Sequence, residues 1–191
     1  MYNVAVIVGS LRKDSINREF ARALAKLSGP GLKLDLVDID ALPIYNQDFD
    51  ADMPAEARRL KAEIEAADAV LLITPEHNRS FSTALKNAID WASRPYGKSS
   101  WAGKPVAIAG ASGGNVGTAV AQQHLRTVLG HLDAAILGQP EVFFTFKPGL
   151  VDKDSNITDE STREFLRGFL NRLSGWIDLI SRDRQPQAAA A

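Results

Sequence analysis

Cysteine is absent from the 191 residues of this chain, which also has no long apolar run and no excess of one charge. The lack of cysteine excludes disulfide bonds, thiolate metal sites, cysteine nucleophiles and cysteine-bound iron–sulfur clusters. The 22 basic and 23 acidic residues leave a net charge of −1, whereas a nucleic-acid or anionic-membrane partner needs a basic surface. No apolar run approaches the roughly 20 residues that span a bilayer, and the N-terminus lacks an export signal. We therefore expect a cytoplasmic protein without a nucleic-acid or membrane partner.

Histidine is scarce, and two common nucleotide-binding signatures are missing. The three histidines, His77, His124 and His131, show neither the spacing of metal ligands nor an obvious carboxylate partner, so no metal site is expected. The chain also lacks the Gly-x-Gly-x-x-Gly fingerprint for a dinucleotide and the Walker lysine motif for a nucleoside triphosphate.

Short apolar runs alternate with amphipathic segments along most of the chain. The runs that are typical of strands buried on both faces of a parallel sheet are 4–8, 69–74 and 106–111. Residues 32–37 alternate between apolar and polar, as in a strand nearer an edge, and 134–137 with 142–144 predict a final strand that can be split. This pattern indicates a doubly wound α/β domain with five strands in a mostly parallel sheet and helices on both faces.

The domain is expected to span residues 1–182, with a disordered tail over 183–191 that ends in four alanines. Capping residues predict two helix starts, one at Ser82 or Thr83 and one at Thr158, which two acidic residues follow. Apolar spacing predicts a further helix from about 116 to 129.

A polar loop follows the first predicted strand and precedes a helix. In doubly wound sheets ligands bind beyond the carboxyl ends of the strands, and a helix N-terminus favours an anion. Ser10, Ser15 and Asn17 can donate hydrogen bonds there, and Arg12 can pair with a phosphate oxygen. A single terminal phosphate fits this loop better than a pyrophosphate does. The alternative is a solvated loop in which a serine or an aspartate merely caps the helix.

Two more loops leave the carboxyl ends of the third and fourth predicted strands. In the first of them Pro75 restricts the backbone, so that Asn78 and nearby amides can meet the polar edge of a flat heterocycle, while His77 can pack on its face or donate to it. In the second, residues 110–115, the glycines allow close approach of a ligand to the backbone. A surface or capping role for His77 and a tight turn at 110–115 are the structural alternatives.

Residues 110–114 also match the Gly-x-Ser-x-Gly elbow of hydrolases, with Ser112 as the nucleophile. A triad needs a histidine on a separate, later loop. The last histidine is His131, only two residues from Asp133, so we discount a hydrolase.

Three segments of the chain, taken in order, resemble the NADPH-dependent FMN reductase family, and in particular the bacterial chromate and quinone reductases. The segments are Gly9-Ser10-Leu11-Arg12-Lys13-x-Ser15-x-Asn17, Thr74-Pro75-Glu76-His77-Asn78 and Leu85-Lys86-Asn87-Ala88-Ile89-Asp90-Trp91. The resemblance implies a flavodoxin-like three-layer sandwich with strand order 2-1-3-4-5. It also implies a bound FMN, with NADPH or NADH as the electron donor. Because the chemistry takes place on N5 of FMN, no catalytic residue is assigned.

The resemblance also implies which residues hold FMN, by position. The phosphate would be held by the first loop, the isoalloxazine by the second, and the flavin or its ribityl chain would be reached by the third. These residues are Ser10, Leu11, Arg12, Ser15, Ile16, Asn17, Pro75, Glu76, His77, Asn78, Ser112 and Gly113.

The chain departs from the family pattern at two places. His77 stands where tyrosine is usual, which puts a smaller, titratable ring beside the flavin, and Ser82-Thr83 replace a common proline-glycine pair. Family members are typically homodimers or homotetramers with the flavin near a subunit interface, and the helix at 85–91 is expected to contribute to that interface.

The expected activity is transfer of hydride from NAD(P)H through FMN to a small acceptor. Quinones are the preferred acceptors, and chromate, azo compounds and free flavins are the others that the resemblance implies. One alternative is a flavodoxin-type electron carrier, which the net charge of −1 disfavours because such carriers are usually strongly acidic. A second is a non-redox regulatory domain on the same scaffold, which a fold alone never excludes.

Overall fold

A computed structural model describes residues 1–184, in which strands and helices alternate as the sequence predicts. The strands are β1 (Tyr2–Val8), β2 (Leu32–Val37), β3 (Ala69–Ile73), β4 (Pro105–Ser112), β5 (Ala135–Ile136) and β6 (Val142–Thr145). The α-helices are α1 (Ile16–Leu27), α2 (Ala55–Ala66), α3 (Thr83–Ala92), α4 (Ala119–His131) and α5 (Glu160–Arg184). Of the predicted tail, residues 183 and 184 belong to α5, and the remainder lies outside the described residues. No helix within residues 1–184 is both long enough and apolar enough to cross a bilayer.

All neighbouring strands of the sheet run parallel, in the order β2-β1-β3-β4-β5, and β6 also pairs with β4. β5 lies beside Pro105 and Val106 of β4, whereas β6 lies beside Ala109–Ser112. β5 and β6 therefore share the fifth position, as expected for a split final strand. The predicted flavodoxin-like sheet with order 2-1-3-4-5 is confirmed.

The core has one layer on each face of the sheet. Val4 and Val6 of β1 pack with Phe20 of α1 on the face that α1 and α5 cover. Ile7 points the opposite way and packs with Leu60 of α2, on the face that α2, α3 and α4 cover. Because successive residues of a strand face opposite sides, a strand between two layers of helices must be apolar at almost every position. Burial of each such side chain stabilises the fold by roughly 1.5–3 kcal/mol.

Two helix starts differ from those predicted. α4 begins at Ala119 rather than near 116, because turns occupy the preceding residues and Gly117, with φ +61°, packs against the backbone of Phe143. α5 is capped by Asp159 and not by Thr158: the Asp159 carboxylate accepts the N–H of Thr162 at 2.8 Å. The hydroxyl of Thr158 instead donates to the carbonyl of Gly149 at 2.8 Å.

The cap of α5 yields a prediction about acid stability. The pKa of Asp159 is lowered to about 2 from its ordinary 3.8, because the carboxylate accepts hydrogen bonds from the Ser161 hydroxyl and from the Thr162 backbone. A group with a lowered folded-state pKa stabilises the fold above its unfolded pKa, and that contribution is lost as pH falls through the folded value. The difference in unfolding free energy between the wild type and Asp159→Ala should therefore be constant near neutral pH and shrink as pH falls from 3.8 toward about 2.

Urea unfolding at a series of pH values measures this difference. Asp159→Asn is the matched control, since asparagine is also a good cap but does not titrate in this range. A difference for Asp159→Ala that stays constant down to pH about 2 contradicts the assignment.

Candidate functional site

The loops after β1, β3 and β4 leave the sheet at the same edge. The N–H of Gly9 donates to the carbonyl of Ile73 at 2.8 Å, and the N–H of Thr74 donates to Ala109 at 3.0 Å, so the ladder extends to the point where each loop begins. The chain passes from β1 to β2 on one side and returns to β3 on the other, so strand order reverses between β1 and β3. A crevice at such a reversal is where doubly wound sheets bind ligands.

The first loop ends in a helix N-terminus whose amides are free to bind an anion. Ser15 caps α1, since its hydroxyl oxygen accepts the N–H of Arg18 at 3.2 Å. The backbone N–H groups of Ile16 and Asn17 make no hydrogen bond with another described residue. Arg12 lies exposed in the same loop. Unpaired amides, the positive end of the helix dipole and a nearby guanidinium together fit a phosphate.

The side chain of Asn17 has a partner within the protein. It is buried, donates to the carbonyl of Ala111 at 2.8 Å and accepts the N–H of Ala111 at 2.9 Å. Ala109, two residues before Ala111 on β4, accepts the N–H of Thr74, which directly follows β3. Beyond that point β3 no longer lies beside β4, and the side-chain amide of Asn17 bonds to Ala111 in its place. The Asn17 side chain therefore joins α1 to β4, and the backbone N–H of Asn17 remains available to a phosphate.

The second loop closes in a tight turn. His77 and Ser80 exchange both backbone hydrogen bonds, at 2.8 and 2.9 Å, and the residues between them, Asn78 and Arg79, have φ of 48° and 63°. Positive φ at both central residues defines a type I′ turn. His77 and Asn78 are exposed at this turn, as a role in contacting a ligand requires.

Glu76 connects this turn to α4. One carboxylate oxygen accepts the N–H groups of Val120 and Ala121 at 3.1 and 3.2 Å, and the other pairs with Arg79 at 3.0 Å. The cap residue of α4, Thr118, makes no side-chain capping bond, so Glu76 takes over that function. No local motif reveals this, because Glu76 and Val120 are 44 residues apart. Because the carboxylate bonds to the helix and to Arg79, the backbone of Glu76 is the part that remains available to a ligand.

The third loop approaches the second so closely that it needs glycine. A Cβ on Gly110 would lie 2.3 Å from both the Thr118 hydroxyl and the Thr74 carbonyl oxygen. By contrast, a Cβ on Gly113 would meet nothing within 4 Å. An open cleft of about 370 Å³ lies between the two loops. Its lining includes Asn78, Arg79, Ser112 and Gly114.

A hydrolase triad at Ser112 has no support in this geometry. The Ser112 oxygen accepts the N–H of Gly114 at 3.1 Å. His131 is the last residue of the 13-residue α4, about 20 Å along the helix from its N-terminus beside Glu76.

The fold defines a flavodoxin-like class of protein. The chain belongs to the NADPH-dependent FMN reductase family, whose sequence model matches residues 2–149. The resemblance found in the sequence is thereby confirmed. The protein is an oxidoreductase that binds FMN and takes electrons from NAD(P)H, so the electron-carrier and regulatory alternatives are set aside.

Named relatives match almost the full length of the chain. A 2-hydroxy-1,4-benzoquinone reductase from Burkholderia sp is 48% identical over 182 residues, which are 95% of this chain and 97% of that protein. A quinone reductase from Pseudomonas putida is 46% identical over 94% of this chain and 96% of its own length. Among solved structures, the flavoenzyme NAD(P)H:(acceptor) oxidoreductase FerB from Paracoccus denitrificans matches with a TM-score of 0.90 and 46% identity, covering 94% of this chain and 98% of that one.

Proposed function

We propose that this enzyme reduces quinones to hydroquinones at the expense of NAD(P)H. The balanced reaction is quinone plus NAD(P)H plus a proton, giving hydroquinone plus NAD(P)⁺. The observation that supports this most directly is the pair of relatives named as quinone reductases, each more than 45% identical over at least 94% of the chain. When bound, FMN would supply the redox chemistry, which is hydride transfer between NAD(P)H and an acceptor.

The phosphate of FMN would be held by the first loop. The donors are the backbone N–H groups of Ile16 and Asn17, which have no partner within residues 1–184, together with Ser10 and Arg12. These groups lie at or just before the N-terminus of α1, where the dipole favours a negative charge. At this loop the protein would contribute affinity for FMN and fix its position, and it would take no part in the redox reaction.

The second and third loops would hold the ring system. The type I′ turn fixes the backbone conformation at Asn78. The hydrogen bonds from α4 to the Glu76 carboxylate fix the position of the preceding residues of this loop. Ser112 of the third loop lines the same cleft as Asn78, and Gly113 follows Ser112 in the chain. A heterocycle between two rigid loops is oriented without a catalytic side chain, in keeping with chemistry that takes place on the cofactor.

We further propose chromate, azo compounds and free flavins as additional acceptors. The support is the open cleft and the exposure of His77 and Asn78 at its edge, since an open site selects weakly among small acceptors. His77, in place of the family's usual tyrosine, offers such acceptors a smaller surface for stacking.

We also propose that the protein is a cytoplasmic homodimer or homotetramer. The helix at 85–91 is the predicted interface, but its large apolar side chains face inward. Leu85, Ile89 and Trp91 are fully buried in their own subunit, so α3 itself offers no large apolar surface. The exposed Ile44 and Tyr96, which are 73% and 91% accessible in segments adjoining α3, are better candidates for the contact.

Anaerobic spectroscopy tests the proposed activity. The purified protein loaded with FMN is titrated with NADPH, and then with 1,4-benzoquinone, while the visible absorption is followed. We expect the flavin bands to bleach promptly and to return when the quinone is added. Bands that bleach but do not return with quinone would show that the acceptor is wrong, and chromate, an azo dye and free flavin would be compared next by kcat/KM.

A further inference from the structure

Arg18, in the first turn of α1, contacts both ends of the phosphate loop. Its Nε donates to the carbonyl of Ser10 at 3.1 Å, and its backbone N–H donates to the hydroxyl oxygen of Ser15 at 3.2 Å. A second guanidinium nitrogen pairs with the carboxylate of Asp40, in the segment that follows β2. One residue thus joins the start of the loop, its end and a third segment of the chain.

The loop between these contacts has little else to hold its shape. Residues 11–14 are exposed and make no hydrogen bond with any other residue in the described part of the chain. Upstream, the hydroxyl of Ser82 donates to the carbonyl of Gly9. Between Gly9 and Ser15, the contact of Arg18 with Ser10 is therefore the one hydrogen bond that fixes a peptide group, counting the residues that the structure describes.

The contact with Ser10 has a consequence for the next amide. A trans peptide is planar, and its C=O and N–H point in opposite directions. When the Ser10 carbonyl is held toward Arg18, the N–H of Leu11 must point to the other side of the same peptide. That N–H has no acceptor within residues 1–184.

We propose that Arg18 is a positioning residue for the FMN phosphate: it orients the Ser10–Leu11 peptide so that the Leu11 N–H is presented as a phosphate donor. This inference rests on the assignment of the phosphate to the loop at 10–17. Arg18 acts through the peptide, because its Nε and a second guanidinium nitrogen hold the Ser10 carbonyl and the Asp40 carboxylate and so fix the position of the side chain. Arginine suits this task since its planar group donates in two fixed directions at once, which lysine cannot do.

Flavin binding measured with and without the phosphate tests the proposal. The full chain is freed of flavin by dialysis, shown to reload with FMN, and titrated with FMN and with riboflavin while flavin fluorescence is followed. Arg18→Ala should weaken FMN binding about ten-fold, the effect of losing one hydrogen bond to a charged group, and leave riboflavin binding within about two-fold. Arg18→Lys should not restore FMN binding. Arg22→Ala is the matched control, because Arg22 lies one turn further along α1, is exposed and lines the same small cleft beside Arg18.

Each outcome separates this inference from the proposed site. If the wild type binds riboflavin as tightly as FMN, the phosphate assignment itself fails. If the wild type prefers FMN and Arg12→Ala loses that preference while Arg18→Ala keeps it, the loop is correct and the role of Arg18 is wrong. Recovery of FMN binding in Arg18→Lys also overturns the proposal, since it would mean that charge and not peptide orientation is what matters. An equal loss of FMN binding in Arg22→Ala would likewise overturn the proposal, since it would show an effect of charge and not of peptide orientation.

Discussion

Replacement of Gly110 by alanine is expected to destabilise the protein by about 3 kcal/mol or more. The new Cβ would lie 2.3 Å from the Thr118 hydroxyl oxygen and 2.3 Å from the Thr74 carbonyl oxygen, and both residues are completely buried. Neither can move freely. The backbone of Thr74 is bonded to Ala109, and the Thr118 hydroxyl accepts a hydrogen bond from Gln122.

Urea unfolding of the full chain measures this loss. Gly113→Ala is the control in the same loop, because a Cβ there meets nothing within 4 Å, and we expect it to change the unfolding free energy by less than about 0.5 kcal/mol. Equal stability of the two variants would mean that the second and third loops can separate without cost. The same clash should also lower FMN retention in Gly110→Ala, since these loops border the proposed ring site.

Replacement of Asn17 by leucine is expected to cost about 2–6 kcal/mol of unfolding free energy. Leucine is similar in size but cannot bond to Ala111, so one buried N–H and one buried C=O lose their partner, at about 1–3 kcal/mol each. Thermal or urea unfolding measures the loss, with Asn115→Leu as the control at an exposed asparagine near the cleft. A stability equal to that of the control would show that the two hydrogen bonds contribute nothing net.

Asn17→Leu should also affect the proposed flavin site. Ala111 directly precedes Ser112 and Gly113, so loss of the bridge from Asn17 should loosen the third loop as well as the start of α1. We expect weaker binding of both FMN and riboflavin in Asn17→Leu. That pattern differs from the selective loss of FMN binding expected for Arg18→Ala, because Asn17 joins two loops while Arg18 orients a peptide in one.

Much of the fold can be read from short stretches of chain. Near-continuous apolar runs identify β1, β3 and β4, and the alternating run at 32–37 identifies an edge strand, because these patterns follow directly from which faces of a strand are covered. The cap of α3 at Ser82 was also predictable, since a capping side chain reaches only three residues along the chain. The start of α4 was not, because Gly117 is held by packing against Phe143 on β6.

The roles of the polar site residues are where local patterns stop being informative. Ser15 performs the capping function that its position suggests. The motifs that contain Asn17 and Glu76 predict contacts with the flavin, yet the two side chains bond to groups 94 and 44 residues away. The same motifs predict no role for Arg18 or Arg79. The sequence around Arg18 does not predict its ion pair with Asp40, because that contact depends on β2 lying beside β1.

The sequence by itself therefore determined the class of fold, the family and its FMN cofactor, and it predicted the end of the sheet that we propose for ligand binding. Periodicity, caps and loop motifs are local, and each is encoded within one turn of helix or a few residues of strand. Only the tertiary structure decided which polar side chains are left for a ligand. A buried amide or carboxylate must find a hydrogen-bond partner, and which partner is near is settled by the order of the strands and the packing of the helices on them.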